Sequence, residues 1–279
     1  MHRIDTSTAQ KDKFGAGKNG FTGGNPQTGE LPTALNAEFF DSVQEEIASI
    51  IEAAGITLSS ASNNQLLAAV KGLVGPGRLL NVQVFNAAGQ YTPTPGMKFI
   101  LAHMIGGGGA SGGTPATTAS QTGGSAAGNS GGYAFIKAYA IDIGAGKAIN
   151  IGAGGTTQVN GSGFAGGTTS IADIADVTGG YGSIPGSVSA TAAVAQPSYS
   201  KPVVNKYNKT EILISSLGSQ ASNFLQSAIG SGTGWISPAS PFPGGEKGRG
   251  GSGIFVNAST AAQPGLAGNS GAVLIMEYA

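Results

Sequence analysis

Glycine limits what this chain can fold into, because it is concentrated in one part of the sequence. Of the 49 glycines, 12 lie in residues 1–105 and 37 lie in residues 106–279. A glycine in regular structure costs roughly 0.5–1 kcal/mol relative to alanine, so an ordered fold must exploit the missing Cβ. Two states fit this sequence. One is a disordered linker, and the other is a polyglycine-II-like or triple-stranded packing in which backbones approach too closely for any Cβ.

The segments between the glycines favour the ordered state. A disordered linker would be poorer in Ile, Phe and Tyr, and the chain ends on the apolar run 272–276, which predicts a strand buried on both faces. The absence of a strict Gly-X-Y period excludes collagen. We therefore expect the glycine runs to be ordered by strands from several copies that crowd together in a homotrimer.

The N-terminal part predicts an arm and two helices. Residues 1–35 are polar and rich in turn formers, which indicates an extended attachment arm without its own core. In residues 36–77, Asn36 should cap a first helix that ends at Gly55, and Ser62 with Gln65 has the spacing of a capping box for a second.

Each predicted helix carries one apolar stripe that a monomer of this size could not bury well. The stripes predict an oligomeric helical collar, and the alternative is a helical hairpin packed on the later domain. The candidate attachment or oligomerisation residues are Phe39, Phe40, Val43, Ile47, Ile50, Leu66, Leu67 and Val70.

Residues 78–279 have the alternation of strands. Segments 81–85 and 97–105 flank a turn region, and segment 133–143, with Tyr133, Phe135 and Tyr139 on one face, predicts a β-hairpin with 147–151. The predicted fold class is mainly β: an extended arm and short helical collar are followed by a glycine-rich β domain, sandwich-like or polyglycine-like, in a homotrimer.

Charge and composition exclude several functions. The chain has 14 basic and 14 acidic side chains, a net charge of zero and no cysteine. It therefore lacks the basic patch expected of a protein that binds nucleic acid or an anionic membrane, and it lacks thiolate metal ligands. With no secretory h-region at the N-terminus and no run of about 18 apolar residues, we expect a soluble chain without membrane insertion.

Three segments in order resemble bacteriophage tail fibre proteins of the short, glycine-rich-tip kind. The helical stretch ALNAEFFDSVQEEI at 34–47, continuing to 70, is similar to their N-terminal region, and VFNAAGQYTPTPGMKF at 84–99 is similar to the start of their glycine-rich domain. Later matches lie at 106–109, 131–134, 151–155, 237–242 and 272–279. The resemblance implies a virion tail fibre, assembled in the host cytoplasm, that attaches to baseplate or tail proteins by its N-terminus. Its C-terminal tip would recognise a bacterial surface receptor, either protein or lipopolysaccharide.

Tail fibres sometimes carry depolymerases, which would require catalytic residues. A glycosidase needs two carboxylates, and Asp173 with Asp176 is the closest-spaced pair after residue 105; we interpret it as a solvated polar edge. A serine triad needs a histidine base, and His103, in an apolar segment, is expected to be a satisfied strand histidine. We predict no enzymatic activity, no metal site and no cofactor.

The segment 185–245 departs from the family pattern, because lysines and aromatic residues replace its glycines. Exposed aromatics on loops suit adhesion, since they provide contact area at low entropy cost. The alternative is that they fill the domain core, as expected for Trp235 and Phe242. The candidate receptor-binding residues are Tyr181, Tyr199, Lys201, Lys206, Tyr207 and Trp235. The competing functions are a structural baseplate or fibre connector and a tip-borne polysaccharide depolymerase.

Overall fold

The computed structural model describes residues 2–75, 77–191, 193–195, 200–218, 224–226 and 240–279. Within these residues the protein is mainly β, with antiparallel sheets and few helices. The chain divides into two compact units, Met1–Arg78 and Leu79–Ala279. Two candidate receptor residues, Tyr199 and Trp235, lie outside the described residues.

The first unit contains helix α1 (Ala37–Ala53) and helix α2 (Gln65–Val74). Gly55 ends α1 as predicted, because its φ of 73° is a left-handed conformation that favours glycine. Its N–H donates to the carbonyl of Glu52, and the N–H of Ile56 donates to the carbonyl of Ile51. These two bonds satisfy carbonyls that the end of the helix would otherwise leave unpaired.

Both predicted N-terminal caps are wrong. The side chain of Asn36 makes no capping bond and instead donates to the carboxylate of Glu38 at 2.9 Å. Ser62 donates to the side chain of Asn64 at 2.8 Å, and the Gln65 side chain accepts from a backbone N–H in the preceding turn. The capping box also fails because α2 begins later than predicted, with Asn64 in the N-cap position.

The segment predicted as an extended arm contains two chain reversals. They are closed by the antiparallel bridges Gln10↔Gly20 and Asn25↔Glu30. Ile4 is only 1% exposed, and the ring of Phe21 lies edge-on to the ring of Phe39 in α1, with centroids 5.3 Å apart. These residues therefore pack on the first helix within their own unit.

The second unit is built mostly from short strands. Their bounds are β1 (Leu79–Phe85), β2 (Gly89–Tyr91), β3 (Phe99–Ile105), β4 (Thr122–Gly124), β5 (Tyr133–Tyr139), β6 (Lys147–Asn150), β7 (Thr169–Ile171), β8 (Ala175–Val177), β9 (Ser187–Ser189), β10 (Ala193–Ala195), β11 (Val204–Lys206), β12 (Glu211–Ser216), β13 (Phe224–Gln226), β14 (Phe255–Val256) and β15 (Ala272–Tyr278); a short helix α3 (Ala140–Ile143) follows β5.

Two five-stranded antiparallel sheets form a sandwich. The first sheet has the order β1-β15-β3-β5-β12 and the second has the order β11-β8-β7-β6-β2. The core between them contains fully buried side chains from both sheets, including Ile100, Met104, Ile136, Ile171 and Ile275. The C-terminal strand β15 lies between β1 and β3, which confirms it as a structural strand. Only one of its faces is fully buried, because Leu274 and Met276 on the other face are half-buried.

The predicted hairpin of 133–143 with 147–151 is wrong. β5 pairs with β3 and β12 in the first sheet, whereas β6 pairs with β2 and β7 in the second. Helix α3 carries the chain from one sheet to the other. Ala134, Ile136 and Ala138 of β5 face the core between the sheets and are 0% exposed. Tyr133, Phe135 and Tyr139 lie on the other face, where Tyr133 is buried against Phe242 and the other two are half-buried.

Seven glycine-rich runs among the described residues extend from this sandwich. They are run 1 (106–114), run 2 (125–132), run 3 (152–156), run 4 (161–167), run 5 (178–186), run 6 (248–254) and run 7 (263–271). Six of them, all but run 6, are continuous with a sandwich strand to within one residue. The strands therefore fix the ends of the runs and their separation.

Run 1 lies at the centre of the other six. Its successive N–H groups donate to three neighbours in rotation: Gly106 donates to run 2, Gly107 to run 4 and Gly108 to run 7, and the rotation then repeats. Its carbonyls accept from runs 3, 5 and 6. A rotation that repeats every three residues is the period of the polyproline-II-type helix that polyglycine adopts. The predicted polyglycine-like packing is therefore present.

The six outer runs also bond to one another and close a ring around run 1. In the order 2-5-4-3-7-6, each run shares backbone hydrogen bonds with the next, and run 6 bonds back to run 2. Runs 2, 4 and 7 are antiparallel to run 1, and runs 3, 5 and 6 are parallel to it. We call this seven-membered arrangement the glycine lattice. It provides hydrogen-bond partners for the backbone N–H and C=O groups of segments that belong to no sheet.

Close approach of the backbones explains why glycine is needed here. A Cβ on Gly107 would lie 2.0 Å from the carbonyl oxygen of Ala153, and one on Gly154 would lie 1.8 Å from that of Gly268. The lattice forms within one chain. The expectation that this glycine is ordered only when several copies crowd together is therefore wrong, because the sandwich strands supply the anchoring that neighbouring copies were expected to supply.

Candidate functional site

The lattice ends, away from the sandwich, in a set of turns that we call the distal end. It includes the turns 115–121, 157–160 and 257–262 and the small sheet β14-β4-β9, against which the strand pair β10-β13 lies. The chain enters the second unit at the opposite end of the sandwich. Its first strand residue, Leu79, pairs with Tyr278, which is at the end of β15 farther from the lattice. The distal end is therefore separated from the entry point by the sandwich and the full length of the lattice.

Thr117 joins two of the distal turns. Its hydroxyl donates to the carbonyl of Asn257 at 2.6 Å and accepts from the N–H of Thr260 at 2.9 Å. The N–H of Ser259 also donates to the carbonyl of Thr118 at 3.0 Å. Thr117 is 8% exposed, so its hydroxyl is used for structure and its neighbours provide the surface.

Ser183 supports the lattice just below these turns. Its hydroxyl accepts from the N–H of Gly112 at 2.7 Å and donates to the carbonyl of Ala126 at 2.6 Å. Gly106 and Gly109 of run 1 donate directly to Gly132 and Asn129 of run 2. At Gly112, three residues further on, the hydroxyl of Ser183 replaces the direct bond to run 2. The role of Ser183 could not be predicted from the sequence, because a serine among glycines gives no signal of its partners.

The candidate receptor residues do not form one cluster among the described residues. Tyr181 is 39% exposed and lies on run 5 of the lattice. Lys206 belongs to β11, the edge strand of the second sheet, where it pairs with Ala175. The six residue steps from Ala175 to Tyr181 span roughly 20 Å of extended chain. Lys201 is exposed in the segment before β11.

Tyr207 follows β11 and is held by a carboxylate. Its hydroxyl donates to Asp176, which also accepts from the side chain of Asn205 at 2.9 Å. The hydrogen bond to Asp176 raises the pKa of Tyr207 above its usual value, because the carboxylate favours the protonated phenol. Asp173 lies 3.4 Å from the ammonium of Lys147. Both aspartates thus have local partners on a partly exposed edge, as expected of a polar edge.

His103 is a satisfied strand histidine, as predicted. Its Nδ1 is 2.7 Å from the hydroxyl of Tyr133, and its ring stacks on Phe135 with centroids 4.3 Å apart. Burial lowers the pKa of His103 and raises the pKa of Tyr133, because it disfavours the charged form of each. Phe242, predicted to be structural, is 6% exposed and packs against Tyr133.

Glu277 is a buried acid near the end of the sandwich where the chain enters. It is 0% exposed and accepts from the side chain of Gln83 at 3.0 Å and from the N–H of Thr94 at 3.1 Å. Burial, followed by the effect of this carboxylate, raises the pKa of Tyr91. Glu277 therefore ties the 92–96 turn to the last strand. A glutamate in an apolar strand was the sequence signal for it.

The candidate attachment residues lie mostly on the surface of the first unit. Ala48, Ile51 and Ala69 are its buried helical apolar residues, whereas Phe39 and Val43 are half-buried. The other candidates are exposed: Phe40, Ile47, Ile50, Leu66, Leu67 and Val70. An apolar helical surface is therefore available in the single chain.

In the described part of the chain, no three His, Asp or Glu side chains come together in a group that could hold a metal ion. The helices described are too short or too polar to cross a bilayer.

No protein-family model matches the chain. The chain is similar to a protein of Escherichia coli (strain K12) named "Uncharacterized protein StfP", with 60% identity over 74 residues. That match covers 26% of this chain and 35% of the relative, so the chain aligns with about a third of that protein's length.

Proposed function

We propose that this chain is a virion tail fibre protein whose distal end recognises a receptor on the bacterial surface. The glycine lattice is the observation that carries the proposal. It makes a stiff body in which the backbone of each run bonds to its neighbours, and it places loops at the end farthest from the point where the chain enters. Rigid elements that present loops are the usual support of a recognition site.

The first unit supplies the attachment in this proposal. Its exposed apolar helical residues, such as Phe40, Leu67 and Val70, are suited to contact baseplate or tail proteins or further copies of the chain. We propose a homotrimer formed through this unit. Three copies would present three distal ends, and such avidity can raise affinity by about 10²–10⁴-fold without a new contact.

The similarity to StfP agrees with this proposal, because the letters of that name hint at a side tail fibre. The name belongs to that protein, and the similarity covers 74 aligned residues. It adds to the resemblance of the helical and glycine-rich segments to tail fibres. We propose the virion tail as the location and the host cytoplasm as the place of assembly.

Adsorption of the purified chain to cells tests the receptor role. Labelled full-length chain is mixed with a panel of Gram-negative strains that includes Escherichia coli K12, and bound label is measured after washing. We expect saturable binding to some strains and competition by unlabelled chain. Replacing the 115–121 turn should abolish binding, whereas replacing the 144–146 turn in the sandwich should leave it unchanged.

Two alternatives predict other results. A structural connector would assemble into particles normally but show no adsorption to any strain. A polysaccharide depolymerase would release soluble sugar from capsule or lipopolysaccharide; we expect no such release. Among the candidates, Tyr181 lies on the lattice, so Tyr181→Ala should weaken adsorption more than Lys206→Ala in β11 or Tyr207→Phe directly after it.

A further inference from the structure

The charged residues of the second unit are segregated from the distal end. No Lys, Arg, Asp or Glu occurs in residues 99–136, 148–172, 177–200, 212–245 or 250–276. These stretches include all three distal turns and the small sheet β14-β4-β9. In the described residues the charged side chains of this unit lie in the sandwich or at the sandwich side of the lattice, as Glu246 and Arg249 do at the start of run 6.

Among the described residues, the distal turns expose hydroxyl, amide and small apolar groups. Their exposed side chains include Thr118, Ser120, Gln158, Val159, Asn160 and Asn257. Hydroxyl and amide groups both donate and accept hydrogen bonds. The surface can therefore match a partner whose polar groups do the same.

This chemistry limits the chemical class of partner that the distal end can bind. The inference rests on the proposed receptor role. A standard protein interface buries about 800 Å² per partner, and about a quarter of the residues of a typical protein are charged. A protein loop or a phosphorylated sugar pressed on the distal end would thus lose the hydration of several charges without gaining a counter-charge, which is costly. Sugar hydroxyls, in contrast, find donors and acceptors in the turns.

We infer that the distal end of the glycine lattice binds an uncharged glycan of the cell surface. The turns that contact it are 115–121, 157–160 and 257–262. Binding depends on hydrogen bonds and on small apolar contacts such as Val159, which is 60% exposed. Because charge takes no part, adsorption should change little with ionic strength.

The test uses full-length chain and a strain to which it adsorbs. Cells are treated with periodate, which oxidises sugar diols, or with a protease, and adsorption is measured at low and high salt. We expect loss after periodate, retention after the protease and less than about a twofold change with salt. Loss after the protease with retention after periodate would overturn the inference in favour of a protein receptor. A steep fall with salt would overturn it in favour of a charged partner.

Isosteric variants place single charges at the distal end. Asn257→Asp and Gln158→Glu should each weaken adsorption about tenfold or more, because an unpaired charge must be desolvated against the glycan. Gln90→Glu in strand β2 is the matched control and should leave adsorption unchanged. Equal adsorption by all three variants and the unmodified chain would overturn the inference. Failure to adsorb to any strain would instead refute the receptor role itself.

Discussion

The hydroxyl of Ser183 accepts a hydrogen bond from the backbone N–H of Gly112 at 2.7 Å, where a carbonyl of run 2 would otherwise be the acceptor. The same hydroxyl donates to Ala126 at 2.6 Å, so one side chain connects two runs. Ser183→Ala leaves a buried donor and a buried acceptor unpaired, each at a cost of about 1–3 kcal/mol. We expect the free energy of unfolding to fall by about 2–4 kcal/mol, measured by denaturant titration.

Ser162→Ala is the control for this substitution. Ser162 is exposed on run 4, so its loss should change stability by less than about 0.5 kcal/mol. If the two serine variants unfold at the same denaturant concentration, the bridging role of Ser183 is wrong.

Gly109 tests the close approach of backbones in the centre of the lattice. A Cβ at this position would lie 2.2 Å from the carbonyl oxygen of Tyr181, which is backbone and cannot rotate away. We expect Gly109→Ala to lower the free energy of unfolding by about 3 kcal/mol or more, or to prevent folding, because run 5 must move. Thermal unfolding and protection from proteolysis measure the effect.

The matched control is Gly89→Ala in strand β2. There the nearest atom to an added Cβ is 3.5 Å away in the ring of Phe85, which is ordinary contact. We expect little loss of stability. Equal tolerance of alanine at positions 89 and 109 would contradict the tight packing of the lattice.

Local features of the fold could be predicted from the sequence. The end of α1 at Gly55 depends on one residue and its neighbours, and the strand character of β15 depends on a continuous apolar run. The close packing of glycine backbones could also be predicted, since few other arrangements order so much glycine. The cap predicted at Ser62 failed because α2 begins at Gln65, with Asn64 in the N-cap position, and at Asn36 only the amide nitrogen is bonded, to Glu38.

The closure of the lattice within one chain could not be predicted. Its hydrogen bonds join residues far apart in sequence, such as Gly108 and Asn269, and the glycines carry no side chain that would specify a partner. The hairpin prediction failed for a related reason. The run from Tyr133 to Asn150 alternates like two neighbouring strands, and nothing in it shows that α3 changes sheets. The position of Tyr181 far from Lys206 follows from the same long-range pairing.

His103 should titrate below the ordinary histidine range. Burial lowers its pKa, so the fold favours the neutral ring and the unfolded chain binds the proton more readily. As pH falls through the unfolded value of about 6.5, this residue therefore reduces stability, and the reduction levels off below the folded pKa. We expect the ring resonances of His103 to titrate with a midpoint below about 6.5 by NMR. A midpoint at or above that value would contradict the burial argument.

The same residue should contribute to a decrease in thermal stability between neutral and mildly acidic pH. His103→Phe removes the titrating ring while it keeps a stack on Phe135. The Tm of the variant should therefore fall less over that pH range than the Tm of the unmodified chain. Since the ring is only half-buried, the difference should be small, and calorimetry at several pH values would detect it.

Leu67 and Val70 test assembly through the first unit. Their side chains are 57% and 44% exposed, and they lie on the same side of α2. If three copies join here, the double change Leu67→Glu with Val70→Glu places charges in a buried apolar contact, at a cost of at least about 2 kcal/mol for each chain. We expect a trimer in light scattering of the unmodified chain and a monomer for the double variant. Ala68→Glu, at an exposed neighbouring position of α2, should remain trimeric. If the unmodified chain is already monomeric, the proposed trimer is wrong. The lattice of the second unit would be unaffected by that result, because it is closed within one chain.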